Sequence, residues 1–199
     1  CAARVREGAL LLDARSDEAF AAGHPAGALH VSLGGQYASW VGTLVRPQQP
    51  LLLIAEADRV EEAVMRLARV GYETVVGVLE GDPTRWGAEG LPVTGLRQLP
   101  PQSWREGDRR VLDVRRRPEW HDFHLSGATH IPLAELPDRL DQLDRDGDWV
   151  VVCASGYRSS IAASLLLRSG FTRVANGVGG MDAWRAAGLP LETGAPREA

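Results

Sequence analysis

The residues best suited to chemistry lie in the segment VVVCASGYRSS, residues 150–160. An apolar run ends at Cys153, and an apolar-periodic segment typical of a helix begins a few residues later. Open α/β sheets bind ligands where a strand ends and a helix begins, because the first N–H groups of the helix lack acceptors there. These donors favour an anion, so we expect a thiol at this point to populate its thiolate and to act as a nucleophile.

The residues that follow the cysteine support this interpretation. Gly156 allows a backbone conformation that a side chain would resist, and Arg158 adds a permanent planar cation. Cys153 and Arg158 are therefore the predicted catalytic residues. The backbone around them is predicted to bind the substrate through Ala154, Ser155, Gly156, Tyr157 and Ser159.

Less specific interpretations exist for several of these residues. A cysteine that follows Val150, Val151 and Val152 is often an inert small hydrophobe at the end of a buried strand. Tyr157 fits an aromatic residue at a pocket rim or on the surface, and Ser159 fits a helix cap. The glycine, arginine and serines after Cys153 favour the nucleophile over the inert cysteine.

The chain repeats itself at a spacing of 100 residues. LLDAR at 11–15 matches VLDVR at 111–115, and the later matches continue at the same spacing. They are His24 with His124, Gly27 with Gly127, Ala28 with Ala128 and His30 with His130. Each copy is large enough for its own core, so we expect two domains, residues 1–96 and 97–199. Residues 94–104, with Pro100 and Pro101, are predicted to form the linker.

Both copies show the same order of elements. A short apolar strand ends in Asp-x-Arg, and a helical turn or two, a second strand, a longer helix and a third strand follow. Strands that alternate with helices predict an α/β fold: two domains, each with a small, mostly parallel sheet flanked by helices on both faces.

The first copy departs from the second at the cysteine. Ala55 occupies the position of Cys153, and the loop after it is one residue shorter. Its carboxylates would repel an anion; they are Glu56, Asp58, Glu61 and Glu62. We therefore predict that the first domain is inactive.

The histidines are predicted to be structural. His24, His30, His124 and His130 are part of the repeat, and a copy without the nucleophile would not retain catalytic residues. The same argument assigns the Asp-x-Arg pairs to hydrogen bonding at a strand end, although Arg115 could face the pocket. We expect no metal site and no cofactor.

Composition excludes several classes of function. The net charge of −4 argues against nucleic-acid binding, and no apolar run approaches the ~20 residues of a membrane span. Cys1 and Cys153 lie far apart in sequence, which favours free thiols in a reducing, cytoplasmic setting. The chain does not begin with Met, so we expect it to be cut from a longer polypeptide.

CASGYRS resembles the active loop of the rhodanese domains, the sulfurtransferases, in which Cys-x-x-Gly-x-Arg precedes Ser or Thr. VLDVR, HLSGATHIPL and GGMDAWRAAGLPL agree with the same family, and the whole chain is similar to a tandem rhodanese pair. The segment LGGQYASWVGTLVRPQQPLLLIAE is also similar to the first of two rhodanese domains that follow a metallo-β-lactamase-like domain in persulfide dioxygenase fusions. That resemblance implies a metallo-β-lactamase-like partner domain, for which these residues supply no metal site.

The resemblance implies a sulfurtransferase. Cys153 would take a sulfane sulfur from thiosulfate or a low-molecular-weight persulfide and pass it to a thiol or another thiophilic acceptor by double displacement. One alternative is a non-enzymatic module that docks onto a partner or relays sulfur within a larger protein. A phosphatase or arsenate reductase is disfavoured, because the related phosphatase loop has five residues between Cys and Arg and this one has four.

Overall fold

The computed structural model describes residues 2–80 and 82–194, so Cys1 lies outside the described residues. Contacts divide the chain into two compact units, Cys1–Leu96 and Arg97–Ala199. Each unit has its own parallel sheet and its own buried core.

The first unit is built on a parallel sheet flanked by helices. Its elements are α1 (Ala2–Arg6), β1 (Leu10–Asp13), α2 (Asp17–Ala22), β2 (His24–Pro25), β3 (Leu29–His30), α3 (Tyr37–Leu44), β4 (Leu51–Ile54), α4 (Val60–Ala68), β5 (Val75–Val78), α5 (Pro83–Ala88) and β6 (Val93–Thr94). The parallel sheet has four strands in the order β3-β1-β4-β5, and a separate two-stranded antiparallel ribbon joins β2 to β6. All residues of β1 and β4 are buried, as expected for parallel strands covered on both faces.

The second unit also contains a parallel sheet. Its elements are β7 (Arg97–Leu99), β8 (Arg110–Asp113), α6 (Arg117–Asp122), β9 (Thr129–His130), β10 (Trp149–Val152), α7 (Tyr157–Arg168), β11 (Val174–Gly177) and α8 (Gly180–Ala186). The sheet has five strands in the order β7-β11-β10-β8-β9. β10 is the central strand and is buried throughout, and α7 packs on β10 and β11. The predicted α/β class with parallel sheets flanked by helices is confirmed.

The prediction of a linker over residues 94–104 was wrong for most of that segment. Residues 97–99 form β7, which pairs with β11 at the edge of the second sheet. Pro101 begins a single 3₁₀ turn, and Trp104 after it is fully buried. Proline lacks a backbone N–H but is tolerated at the start of a helical turn, so Pro100 and Pro101 end the strand without leaving the chain unstructured.

Both units retain the same Asp–Arg pair at the end of the first strand. The Arg15 guanidinium donates to both oxygens of Asp13 and to the carbonyl of Gly23. Arg115 does the same with Asp113 and the carbonyl of Phe123. The Arg115 side chain is only 1% exposed, so it braces the strand end and does not face a pocket.

An aromatic ring between two histidines is also common to both units. Phe20 stacks between His24 and His30, with ring centroids 3.7 and 4.4 Å apart. Trp120 stacks between His124 and His130 at 4.1 and 4.6 Å. A ring nitrogen of each histidine contacts a backbone carbonyl, at Phe20 and Arg15 in the first unit and at Trp120 and Arg115 in the second. The four histidines thus have the packing role that the repeat predicted.

Burial keeps three of these rings uncharged. Desolvation lowers the pKa of His30 to about 4, and it also lowers the pKa of His24 and of His130. At these three positions, stacking on an aromatic face and bonding to carbonyls therefore involve neutral imidazoles near pH 7.

No helix in residues 2–80 and 82–194 is long and apolar enough to cross a lipid bilayer.

Candidate active site

Cys153 follows the central strand of the second sheet and is 1% exposed. Its sulfur is turned toward the loop that follows. The backbone N–H of Gly156 donates to Sγ at 3.2 Å, and Sγ lies 3.5 Å from the hydroxyl oxygen of Ser159, to which it donates as a thiol. The thiol therefore faces the first turn of α7, at the carboxyl edge of the sheet, where the sequence predicted it.

Gly156 gives the loop its shape. Its φ of 114° lies in the left-handed region, which suits glycine and strains other residues. Its carbonyl accepts from the Ser159 hydroxyl at 2.9 Å and from the Ser160 N–H at 3.0 Å. The turn therefore brings one peptide N–H against the sulfur while its carbonyl is bonded into the helix.

Several other N–H groups of the loop remain available. Within the described part of the chain, the backbone N–H groups of Ala154, Ser155, Arg158 and Ser159 have no acceptor. Arg158 and Ser159 are in the first turn of a 12-residue helix, whose dipole adds partial positive charge at the same end. The loop thus combines a thiol with donors suited to an anion.

Two N–H groups at the beginning of α8 bind the backbone carbonyls of Cys153 and Ala154. The N–H of Met181 donates to the carbonyl of Cys153 at 2.7 Å, and that of Asp182 donates to the carbonyl of Ala154 at 2.9 Å. A Cβ on Gly180 would lie 2.4 Å from both of these carbonyl oxygens. This contact was not predicted from the sequence, although the paired glycines of GVGGM at 177–181 are a signal of close backbone approach.

Arg158 is held by Glu119, which the sequence analysis missed. Its two terminal nitrogens donate to the two carboxylate oxygens, with Nη1–Oε2 at 2.8 Å and Nη2–Oε1 at 2.6 Å. The hydrogen bonds from Arg158 lower the pKa of Glu119 to about 2, so the carboxylate is charged at neutral pH. Glu119, and after it the charge of Cys153, raise the pKa of the Arg158 guanidinium above its ordinary value.

The predicted site residues have different surroundings. Cys153, Gly156 and Ser159 are buried together, and Arg158 joins them through the same helical turn. Ala154 and Tyr157 are half-buried, and Ser155 is exposed. Among the residues predicted to bind substrate, Gly156 and Ser159 contact the sulfur.

The corresponding place in the first unit has no thiol. Ala55 follows β4, and Arg59 is paired with Glu62 of the same helical turn at 2.7 Å. A cavity of about 670 Å³ lies there, with carboxylates as well as guanidinium groups in its wall. Its lining residues are Arg15, Ala55, Glu56, Ala57, Val60, Val78, Glu80 and Arg85.

A family model described as the Rhodanese-like domain matches residues 2–89 and again residues 102–187. The chain belongs to the rhodanese-like family. The two matches make it a tandem rhodanese pair, as its sequence had suggested. Cys153 lies in the second match and follows Val152, which pairs with Asp113. Ala55 lies in the first match and follows Ile54, which pairs with Asp13 in the same way.

Named relatives of this rhodanese pair match about half of it. It is 32% identical over 104 residues to YrkF, a candidate sulfur carrier protein of Bacillus subtilis. The aligned region covers 52% of this chain and 56% of YrkF. It is 30% identical over 96 residues to the thiosulfate sulfurtransferase GlpE of Stutzerimonas stutzeri, covering 47% of this chain and 88% of that one. The chain thus spans about half the length of YrkF.

A solved structure also matches this chain. The thiosulfate sulfurtransferase of Pseudomonas aeruginosa matches with a TM-score of 0.47 and 25% identity. That match covers 94% of this chain and 41% of the other.

Proposed function

We propose that the second unit is a sulfurtransferase that carries a sulfane sulfur on Cys153. The observation that carries this proposal is the position of Sγ, which accepts the Gly156 N–H at 3.2 Å inside a loop of free donors. Arg158 completes the same turn with a permanent positive charge. Membership of the rhodanese-like family and the thiosulfate sulfurtransferases among its relatives support the same reaction.

The first half-reaction loads the cysteine. The Cys153 thiolate attacks the outer sulfur of thiosulfate, a new S–S bond forms, and the old S–S bond breaks with its electron pair leaving on sulfite. With a low-molecular-weight persulfide as donor, the leaving group is the corresponding thiolate. In both cases the enzyme gains one sulfur atom as a cysteine persulfide. One S–S bond replaces another, so the step needs no external oxidant or reductant.

The second half-reaction unloads it. A thiophilic acceptor, such as a thiolate or cyanide in an assay, attacks the outer sulfur of the persulfide, and the Cys153 thiolate leaves. Between the two steps the backbone N–H groups of Ala154, Ser155, Arg158 and Ser159, which have no acceptor in the described part of the chain, bind the terminal sulfur. Four residues separate Cys153 from Arg158, and the short loop suits a single sulfur atom better than a phosphate group.

Intact mass spectrometry tests the proposal. The chain is incubated with thiosulfate or with glutathione persulfide, and its mass is measured before and after addition of cyanide. We expect a gain of one sulfur atom that maps to Cys153 and disappears with cyanide. Cys153→Ser is the matched control and should gain nothing.

Three outcomes would reject the proposed sulfurtransferase. Loading of Cys153→Ser equal to that of the wild type would place the sulfur elsewhere. No loading of the wild type by either donor would favour the non-enzymatic docking or relay module. Hydrolysis of a generic aryl phosphate without sulfur uptake would favour a phosphatase.

A further inference from the structure

We propose that Glu119 is a positioning residue that holds the Arg158 guanidinium beside Cys153. Its consequence for sulfur transfer rests on the function proposed above, whereas its effect on the reactivity of the thiol does not. Glu119 lies in α6 and Arg158 lies in α7, 39 residues later, so the pair joins two helices at the candidate site.

The pair has the geometry of a strong interaction. Each oxygen of Glu119 accepts from a different terminal nitrogen of Arg158, at 2.8 and 2.6 Å, which is the bidentate arrangement of arginine and carboxylate. The two side chains are 16% and 26% exposed, so water screens the pair less than it screens a surface pair. The carboxylate carries its charge at neutral pH, because its pKa lies near 2.

The carboxylate is itself held in place before it meets Arg158. Its Oε2 accepts from the backbone N–H and from Nε of Arg116, each at 3.1 Å. Arg116 is the residue before α6, so these bonds fix Glu119 on the first turn of its own helix. A long, flexible arginine thus meets an acceptor whose position is already defined, which reduces the rotamer freedom that Arg158 would otherwise have.

The pairing also leaves Arg158 able to act on a ligand. A guanidinium has five N–H groups, and Glu119 occupies two of them. Within residues 2–80 and 82–194 no other acceptor is bonded to this side chain, which leaves three N–H groups for a sulfur donor or for the persulfide. Arg158 lies in the first turn of α7, directly before Ser159, whose hydroxyl oxygen is 3.5 Å from the sulfur of Cys153.

The first unit provides an internal comparison. At the spacing of 100 residues, Ala19 occupies the position of Glu119, and Arg59 aligned with Arg158 pairs with Glu62 on its own turn. The Asp–Arg pair and the histidine stacks, in contrast, occur in both units. The Glu119–Arg158 bridge therefore accompanies the thiol and is not needed for the shared fold.

The test is the pH profile of Cys153 alkylation by iodoacetamide, which reports the thiolate without any sulfur transfer. In Glu119→Gln we expect the midpoint of the profile to rise by roughly one pH unit, because Arg158 is released from the sulfur. Sulfur loading measured by mass should slow about tenfold. Glu135→Gln, which removes the acceptor of Arg117 and Arg139 in the same unit, is the matched control and should leave the midpoint and the loading rate unchanged.

A double variant separates action through Arg158 from a direct effect of the charge. In an Arg158→Ala background, Glu119→Gln removes a negative charge and has no guanidinium left to release, so the midpoint should stay or fall. A rise in the single variant and no rise in the double variant support the proposal. An unchanged or lower midpoint in Glu119→Gln, with circular dichroism of the folded protein, would overturn it.

The two proposals fail separately. If the wild type takes up no sulfur but Glu119→Gln raises the alkylation midpoint, the sulfurtransferase is rejected and the positioning role stands. If the wild type takes up sulfur but Glu119→Gln does not raise the alkylation midpoint, the sulfurtransferase stands and the positioning role is rejected.

Discussion

The backbone N–H of Met181, the residue after Gly180, donates to the carbonyl of Cys153 at 2.7 Å. A Cβ at residue 180 would lie 2.4 Å from two backbone oxygens, which cannot move aside as a flexible side chain can. We expect Gly180→Ala to lower the free energy of unfolding by roughly 3 kcal/mol or more and to abolish sulfur loading, because the cysteine peptide must shift. Chemical denaturation and intact mass measure the two effects.

Gly188→Ala separates the clash from the backbone conformation. Gly188 also has a positive φ, of 65°, but a Cβ there would meet nothing within 4 Å. This variant should cost about 1 kcal/mol and leave loading intact. Equal losses in the two variants would show that contact with the cysteine loop is not the cause.

The hydroxyl of Ser159 donates to the carbonyl of Gly156 and lies 3.5 Å from the sulfur of Cys153. Ser159→Ala should lower the loading rate about five- to tenfold, since both the shape of the loop and a polar contact of the sulfur change. Ser164 makes the same bond within the same helix, to the carbonyl of Ile161. Ser164→Ala should cost similar stability with no change in loading, and an equal rate loss in both variants would contradict a role for Ser159 at the sulfur.

A cysteine alone should not make the first unit active. We expect Ala55→Cys in a Cys153→Ser background to take up no sulfur from thiosulfate, because the loop is one residue shorter and Arg59 is paired with Glu62. Intact mass measures this directly. Loading at the wild-type rate would mean that the loop after Cys153 contributes little beyond the thiol.

Asp17 should make the stability of the first unit depend on pH. Burial raises its pKa to about 6, above the ordinary 3.8, so the folded state binds the proton more readily and is destabilised as the pH rises through 6. His30, 3.7 Å away, has its pKa lowered to about 4 and supplies no positive charge at pH 7. Asp17→Asn should therefore stabilise the unit by about 1 kcal/mol at pH 7.5, after allowance for solvent screening, and by much less at pH 4.

Native-state hydrogen exchange of the Leu12 and Leu53 amides reports this unit directly. Both residues lie in the central strands of its sheet. The control is Glu61→Gln, which removes an exposed carboxylate in α4 of the same unit. A gain for Asp17→Asn that is the same at both pH values would show that ionisation is not its cause.

The elements that repeat could be predicted from the sequence. Apolar runs before Asp13 and Asp113 gave the strands, and the spacing of the histidines gave two copies of one fold, because residues that brace a strand end must keep their positions along the chain. The thiol could be placed for a local reason, since a strand, a loop and a helix within residues 149–168 bring Cys153 to Gly156 and Ser159.

The parts that were missed depend on distant segments. Glu119 reaches Arg158 across 39 residues, and nothing in the spacing of an exposed-looking carboxylate indicates its partner. The strand at 97–99 was taken for a linker, since three residues before two prolines carry little pattern of their own and their pairing with β11 decides the structure. The cytoplasmic setting and the metallo-β-lactamase-like partner domain stay predictions.

The histidine stacks occur in a unit with the thiol and in a unit without it. Conservation of these rings would thus trace the ancestry of a domain and say nothing about its reactivity. To count working domains in proteins of this architecture, one should look instead for four groups found together: the thiol, the glycine three residues on, the arginine of the same turn and the carboxylate that binds it.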